Sequence, residues 1–303
     1  MSILISKDTS FIIQGITGRE AVNLTRENLD YGAKIVGGVT PGRAGRDVYG
    51  VPVYDCVRDV VAEKGAVDGA IVSVPPRFVR DAVFEAIENG IRLIVIVTEN
   101  VPRREVAQMV ELATLRGARI IGPNCLGIIS PGEAKMGGIG GPAANTRQAY
   151  TPGPIGIMSR SGGMTTEIAS TLTAAGLGQS TAVSIGGDAI IGSGYAELMP
   201  LFEADPDTRA VAIYSEPGGR MEAELALWIR DNDSRLPVVA FMAGRFMDEM
   251  KGMRFGHAGT IVEGKEDTTT EKIARMEAAG ISVAERIEEI PDLIRKRLEA
   301  VGS

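Results

Sequence analysis

The chain has 303 residues, 44% of them hydrophobic and 23% charged, with a formal net charge of −7. That length suits about two domains, each large enough to bury a core. The acidic balance argues against a general nucleic-acid or anionic-membrane surface and leaves small molecules and proteins as partners. Two cysteines, Cys56 and Cys125, make neither a disulfide framework nor a zinc-ligand spacing, so no metal site is expected. The start lacks the order of a secretory leader, and no apolar run reaches the roughly 18 residues of a membrane span. A reducing, cytoplasmic setting is therefore expected.

In chain order, short β-branched runs alternate with helical patterns. Phe11–Gln14, Lys34–Gly37, Gly69–Val74, Leu93–Val97 and Arg119–Ile121 read as parallel strands, nearly continuously apolar because both faces are buried. Arg19–Tyr31, Cys56–Lys64, Val79–Asn89 and Val101–Arg116 read as the helices between them. This is the rhythm of a doubly wound α/β domain. Residues Ser130–Pro154, rich in Gly and Pro and without periodicity, read as a boundary or long surface loop. A second series follows, with strands Ile155–Ser159, Thr181–Ile185, Ala210–Tyr214, Val238–Ala243 and Ile281–Ala284. Its helices are Thr165–Ala175, Tyr195–Ala204, Met221–Asp231, Glu271–Ala279 and the terminal Glu288–Val301. The expected division is 1–130 and 131–303.

Chemistry concentrates in the strand-end loops. Gly15-Ile16-Thr17-Gly18-Arg19-Glu20-Ala21 follows a strand and opens a helix, where free amides and the helix dipole can hold a phosphate. After the second strand, a dinucleotide domain normally carries an acidic residue for the ribose; here the run is Gly38-Val39-Thr40-Pro41-Gly42-Arg43. A cation there suits a phosphorylated ribose, which NADP and coenzyme A both possess; the alternative is a plain turn with a solvated arginine. Ser159-Arg160-Ser161-Gly162-Gly163-Met164-Thr165 is a second strand-to-helix loop, lacking the lysine of a P-loop. It is equally read as a phosphate cradle or as a helix capped by Ser161. Ser184-Ile185-Gly186-Gly187-Asp188 is a third, and Tyr214-Ser215-Glu216-Pro217-Gly218-Gly219 sets a carboxylate at a strand end. The sole histidine, His257, lies in the small-residue stretch Lys251–Ile261, whose glycines let backbone approach the ring. It is either a presented nucleophile or an ordinary loop histidine.

Together these stretches resemble the α subunit of succinyl-CoA synthetase and its relatives among the nucleotide-forming acid–CoA ligases. The resemblance runs in order along nearly the whole chain, through Met1–Ile5, Gln14–Gly18, Val36–Gly42, Ile121–Cys125, Ser159–Gly162 and Gly256–Gly259. It implies a Rossmann-like coenzyme A-binding domain followed by a flavodoxin-like ligase domain. It further implies that acid and nucleoside triphosphate give an acyl phosphate, that coenzyme A takes the acyl group, and that His257 ferries the phosphoryl group. By position, Glu216 orients His257, and Ser161, Gly162 and Gly163 hold the phosphate. Coenzyme A contacts carry over to Thr17, Gly18, Arg19, Glu20, Arg43, Val97, Thr98 and Glu99, and acid contacts to Asn124 and Thr166. Cys125 is not the acyl carrier in this family and reads as a small buried thiol.

The departures bear on the acid. Succinate enzymes typically have proline at the place of Leu126, threonine at Gly163, tyrosine at Thr166 and isoleucine at Pro217, and a shorter loop over Gly137–Pro152. Succinate or another small carboxylic acid, such as malate or citrate, is expected. No ATP-grasp module is found in the chain, so the resemblance implies a β subunit that carries it and binds ATP or GTP with Mg2+. Two rival readings are a non-catalytic coenzyme A-binding sensor or scaffold and an NADP-dependent oxidoreductase. The second leaves the latter half of the chain without purpose.

Overall fold

The computed structural model describes residues 2–250, 252–253, 256–257, 259–262, 264 and 268–301. Of the histidine stretch, Lys251, Arg254, Phe255 and Ala258 therefore lie outside the described residues, as does Met1.

The first half runs β1 (Ser10–Gln14), α1 (Arg19–Tyr31), β2 (Lys34–Val39), β3 (Asp47–Val48), β4 (Val51–Tyr54), α2 (Val57–Lys64), β5 (Gly69–Val72), α3 (Val79–Glu88), β6 (Leu93–Ile96), α4 (Arg103–Arg116) and β7 (Arg119–Ile121). Its sheet has the order β3-β4-β2-β1-β5-β6-β7, parallel except for the β3–β4 pair. Every residue of β1, β5 and β6 is buried, as expected for strands covered by helices on both faces.

The second half runs β8 (Gly127–Ser130), β9 (Ala134–Met136), α5 (Ala143–Ala149), β10 (Pro152–Ser159), α6 (Gly162–Ala174), β11 (Gln179–Ser184), α7 (Tyr195–Ala204), β12 (Ala210–Ser215), α8 (Met221–Asn232), β13 (Val238–Met242), α9 (Thr269–Ala278), β14 (Ser282–Ala284) and α10 (Ile290–Val301). Its sheet is β14-β13-β12-β10-β11-β8-β9, parallel through β11 and closed by the antiparallel β8 and β9.

The reading of Ser130–Pro154 as a boundary or long surface loop is corrected. β9 and α5 lie within it, and β8 pairs antiparallel with β11 through Ala182↔Ile129. The chain thus passes from the first sheet to the second between Ile121 and Gly127. These elements are short and are separated by Pro131, Gly132 and Pro142, so local periodicity could not reveal them; β8 is defined by the distant β11, and β9 by its pairing with β8. The buried ammonium of Lys135 ties β9 to the α5 turn by donating to Gly141 O at 2.5 Å.

In each sheet the strand order reverses beside its first parallel strand, between β1 and β5 and between β10 and β12. Open α/β sheets build ligand crevices outside the strand carboxyl ends at such points. Here the two crevices face each other, joined by Gly122 N–H to Ile185 O (3.2 Å) and Gly187 N–H to Asn124 O (3.1 Å). One apolar cluster spans both sheets, with Ile13, Ile121, Met136, Met158 and Val183 among its buried members. None of the described helices is long and apolar enough to cross a membrane.

Candidate active site

A cleft of about 850 Å³ opens between the facing crevices. The first domain lines it with Gly18, Arg19 and Glu20 at the start of α1, and with Val97, Thr98 and Glu99 after β6. The second domain lines it with Ser161, Gly162 and Gly163 at the start of α6, and with His257. Asn124 and Leu126, on the segment joining the domains, complete the wall.

The loop that opens α1 leaves the helix start without a side-chain cap. The N-cap is Gly18, so the amides of the first turn are not taken by a capping side chain. Gly15 has φ +83, and a Cβ there would lie 2.3 Å from Ser73 O, so only glycine lets this loop pass so close to the β5 loop. Thr98 Oγ donates to Val74 O (2.8 Å), tying the β5 and β6 loops together. Two of the expected contacts stand outside the cleft lining. Thr17 hydrogen-bonds Thr40 Oγ (3.2 Å), and Arg43 lies exposed on the turn after β2, its N–H on Asp55 Oδ1 (3.0 Å).

At α6, Ser161 is indeed the N-cap, its Oγ accepting from Met164 N–H (3.4 Å). The Gly162 and Gly163 amides remain for an anion at the positive end of a 13-residue helix. Leu126 covers Gly162 so closely that a Cβ there would fall 2.3 Å from Leu126 Cγ. Asn124 Nδ2 donates to Asp188 Oδ1 (3.1 Å), whose carboxyl is pushed up by burial against the opposing pull of that bond. Thr166 does not line the cleft: its hydroxyl is taken by Tyr150 Oη (3.0 Å) across the α5–α6 contact.

The histidine meets the strand-end carboxylate directly. His257 Nδ1 lies 2.8 Å from Glu216 Oε2 and 3.0 Å from Oε1, and Thr260 Oγ donates to Oε2 (3.1 Å). Glu216 is 8% exposed, and the imidazole is half-buried. The hydrogen bond to Glu216 raises the imidazole pKa above its ordinary 6.5, with burial opposing. For Glu216 burial pushes upward, but His257, Arg160 and Thr260 outweigh it and hold the carboxyl below its usual range. With Nδ1–H committed to the carboxylate, the tautomer is set and Nε2 carries the lone pair.

Sequence reading assigned no role to Arg160, although it stands beside the Ser161 cap. It is 2% exposed, and Nη2 donates to Gly187 O (3.2 Å) and Asp188 O (2.9 Å), holding the loop against which the imidazole lies. That loop needs a glycine: a Cβ at Gly187 would sit 2.5 Å from His257 Cγ and Cδ2. Gly187→Ala is therefore expected to displace the ring from Glu216 and lower its titration midpoint toward 6.5. As His257 is the sole histidine, one imidazole NMR resonance checks this. Cys125 is no competing nucleophile. It is buried, its Sγ donates to Ile96 O (3.2 Å), and burial pushes its pKa up to about 12.

Comparison with known proteins accords with this two-domain layout. Residues 6–100 match the model of the CoA binding domain and 152–295 that of the succinyl-CoA ligase like flavodoxin domain. These two matches define the class: a coenzyme A-binding domain joined to a ligase domain. The chain is 44% identical to subunit alpha 2 of the ADP-forming succinate–CoA ligase of Archaeoglobus fulgidus, over 98% of this chain and 100% of that one. It is 43% identical to a subunit of the ADP-forming sulfoacetate–CoA ligase of Bilophila wadsworthia (98% and 100%) and 40% identical to the malate–CoA ligase α subunit of Methylorubrum extorquens (94% and 94%). Among solved structures, ATP citrate lyase from Methanothrix soehngenii superposes with a TM-score of 0.92 at 23% identity, covering 99% of this chain and 51% of that longer one, a likeness of fold. The chain belongs to the α-subunit family of the ADP-forming acid–CoA ligases.

Proposed function

We propose that this chain is the phosphoryl-carrying α subunit of a nucleotide-forming acid–CoA ligase: acid, coenzyme A and nucleoside triphosphate become acyl-CoA, nucleoside diphosphate and phosphate. The observation that carries this reading is the Glu216–His257 pair, whose imidazole lies in the wall of a cleft that the coenzyme A-binding domain shares. Neutral Nε2 of His257 attacks the terminal phosphorus, the P–O bond to the nucleoside diphosphate breaks, and Glu216 stabilises the positive ring that results. The carried phosphoryl group then rests on the Gly162 and Gly163 amides and the α6 dipole. From there it passes to the carboxylate of the acid, and thiol attack on the acyl phosphate releases inorganic phosphate.

Coenzyme A binds along the α1 end and the β6 loop, through Gly18, Arg19, Glu20, Val97, Thr98 and Glu99. Thr17 holds the first loop to Thr40, and the exposed Arg43 lies ready for a phosphorylated ribose at the outer edge. Asn124 and Leu126 face the acyl end of the cleft. The acid is succinate or a related small carboxylic acid such as malate or citrate, and Leu126 narrows the space above Gly162 where it would lie. A β subunit with an ATP-grasp domain supplies ATP or GTP with Mg2+ and closes the other side of the histidine.

Purified alone, the chain is expected to bind coenzyme A, measured by calorimetry, and to release no nucleoside diphosphate. Adding the β subunit should produce release that depends on both coenzyme A and one acid of a carboxylate panel. Robust turnover by the isolated chain would contradict the assignment.

A further inference from the structure

The carboxylate that meets His257 sits on a turn, Glu216-Pro217-Gly218-Gly219, which lacks the internal bonding of a helix or strand. Gly218 (φ +85) and Gly219 (φ +70) are both left-handed, which turns the chain sharply as it leaves β12. The turn presses on the histidine loop: a Cβ at Gly218 would lie 2.5 Å from Gly259 O and 3.0 Å from Ile261 N. The carbonyls of Glu216 and Gly218 are buried and need donors. Lys272, on α9 and 3% exposed, meets them both. Its ammonium donates to Glu216 O (3.1 Å), to Gly218 O (2.5 Å) and to Glu222 Oε2 (2.7 Å), which uses all three of its N–H bonds. Glu222, 1% exposed in the first turn of α8, balances the charge.

We infer that Lys272 is a positioning residue for the Glu216–His257 pair, its ammonium fixing the 216–218 turn so that the carboxylate and the histidine loop stay in register. The inference rests on the reading of His257 as the phosphoryl carrier and adds to it a second layer of support. Glu222 alone balances the charge, so the placing of the other two N–H bonds is what bears on the site. Here two of the three bonds go to the main-chain carbonyls on either side of Pro217, next to the carboxylate in question. Without the ammonium, both carbonyls lose their donor, the turn relaxes, and the carboxylate no longer holds Nδ1.

The two roles can be separated because exchanging a whole buried ion pair for apolar groups is often neutral for stability. Lys272→Met and the double variant Lys272→Met/Glu222→Met, the latter as the folded comparison, are prepared as full-length chains with ring-labelled histidine. The single imidazole resonance of each is followed against pH. The groups facing the ring, Glu216 and Asp188, which raise its pKa, and Arg160, which lowers it, are unchanged in both variants. The expected result is a titration midpoint moved down toward 6.5 in the double variant, and in the single variant if it folds, with coenzyme A binding retained. A folded double variant with the wild-type midpoint would overturn the inference. Phosphorylation of the wild-type complex by ATP is measured alongside. Its absence would sink the carrier role and leave the titration result standing, whereas an unchanged titration beside normal phosphorylation would sink only the role given to Lys272.

Discussion

Asparagine in place of His257 is expected to stop acyl-CoA formation in the complex with the β subunit, by at least about 10⁴-fold, because in the proposed mechanism it removes the nucleophile on which both phosphoryl transfers depend. The side chain is half-buried and its main bonds are to Glu216, so the fold and the coenzyme A crevice should survive. Coenzyme A affinity within twofold of wild type, with acyl-CoA formation at background, is the predicted pair of results. A variant retaining a tenth of the activity would mean that the phosphoryl group passes directly between substrates.

Glu216→Gln is expected to cost up to about 10⁴ in the rate of phosphoryl transfer, the drop known when an orienting carboxylate behind a catalytic imidazole becomes an amide. Its pH signature is more telling than its size. In the proposed mechanism only the neutral ring attacks, and Glu216 raises the imidazole pKa, so the wild-type rate should rise with pH through a midpoint above 6.5. In the variant that limb should move down toward 6.5 while the plateau falls. Stability follows the same linkage. A raised histidine pKa stabilises the fold fully below about 6.5 and loses that contribution as pH rises through the folded value. A lowered carboxyl pKa stabilises above about 4.5 and loses it as pH falls through its own folded value. The difference in stability between wild type and Glu216→Gln should therefore be greatest between about pH 4.5 and 6.5. A variant with the wild-type acid limb would show that Glu216 does not set the state of the ring.

Much of the scaffold was legible because buried parallel strands are continuous apolar runs, so β1, β5, β6, β12 and β13 stand out of the sequence. The edge elements were not. β3 and β4 are short, with Gly50 between them and Pro52 within β4, and β8 is a strand only because β11 offers it an edge, as β8 in turn does for β9. In the site, the loops that end strands declare themselves by glycine and hydroxyl content, and the resemblance pointed to Glu216 and His257. What sequence could not convey is contact between distant positions. Nothing local marks Gly187 as the floor of the imidazole, Arg160 as the tie on that floor, or Lys272, 56 residues away, as the donor to the Glu216 carbonyl. Thr166 shows the converse. Position in the motif suggested an acid contact, but the tyrosine across from it takes the hydroxyl.

The central claim is that one imidazole nitrogen carries the phosphoryl group, and 31P NMR of the complex with the β subunit after incubation with ATP tests it most directly. The account predicts one phosphoramidate resonance, labile to acid and stable to base, assigned to Nε2 of His257 and discharged on adding the acid and coenzyme A. A resonance at a carboxylate or hydroxyl, or none at all while acyl-CoA is still made, would contradict it.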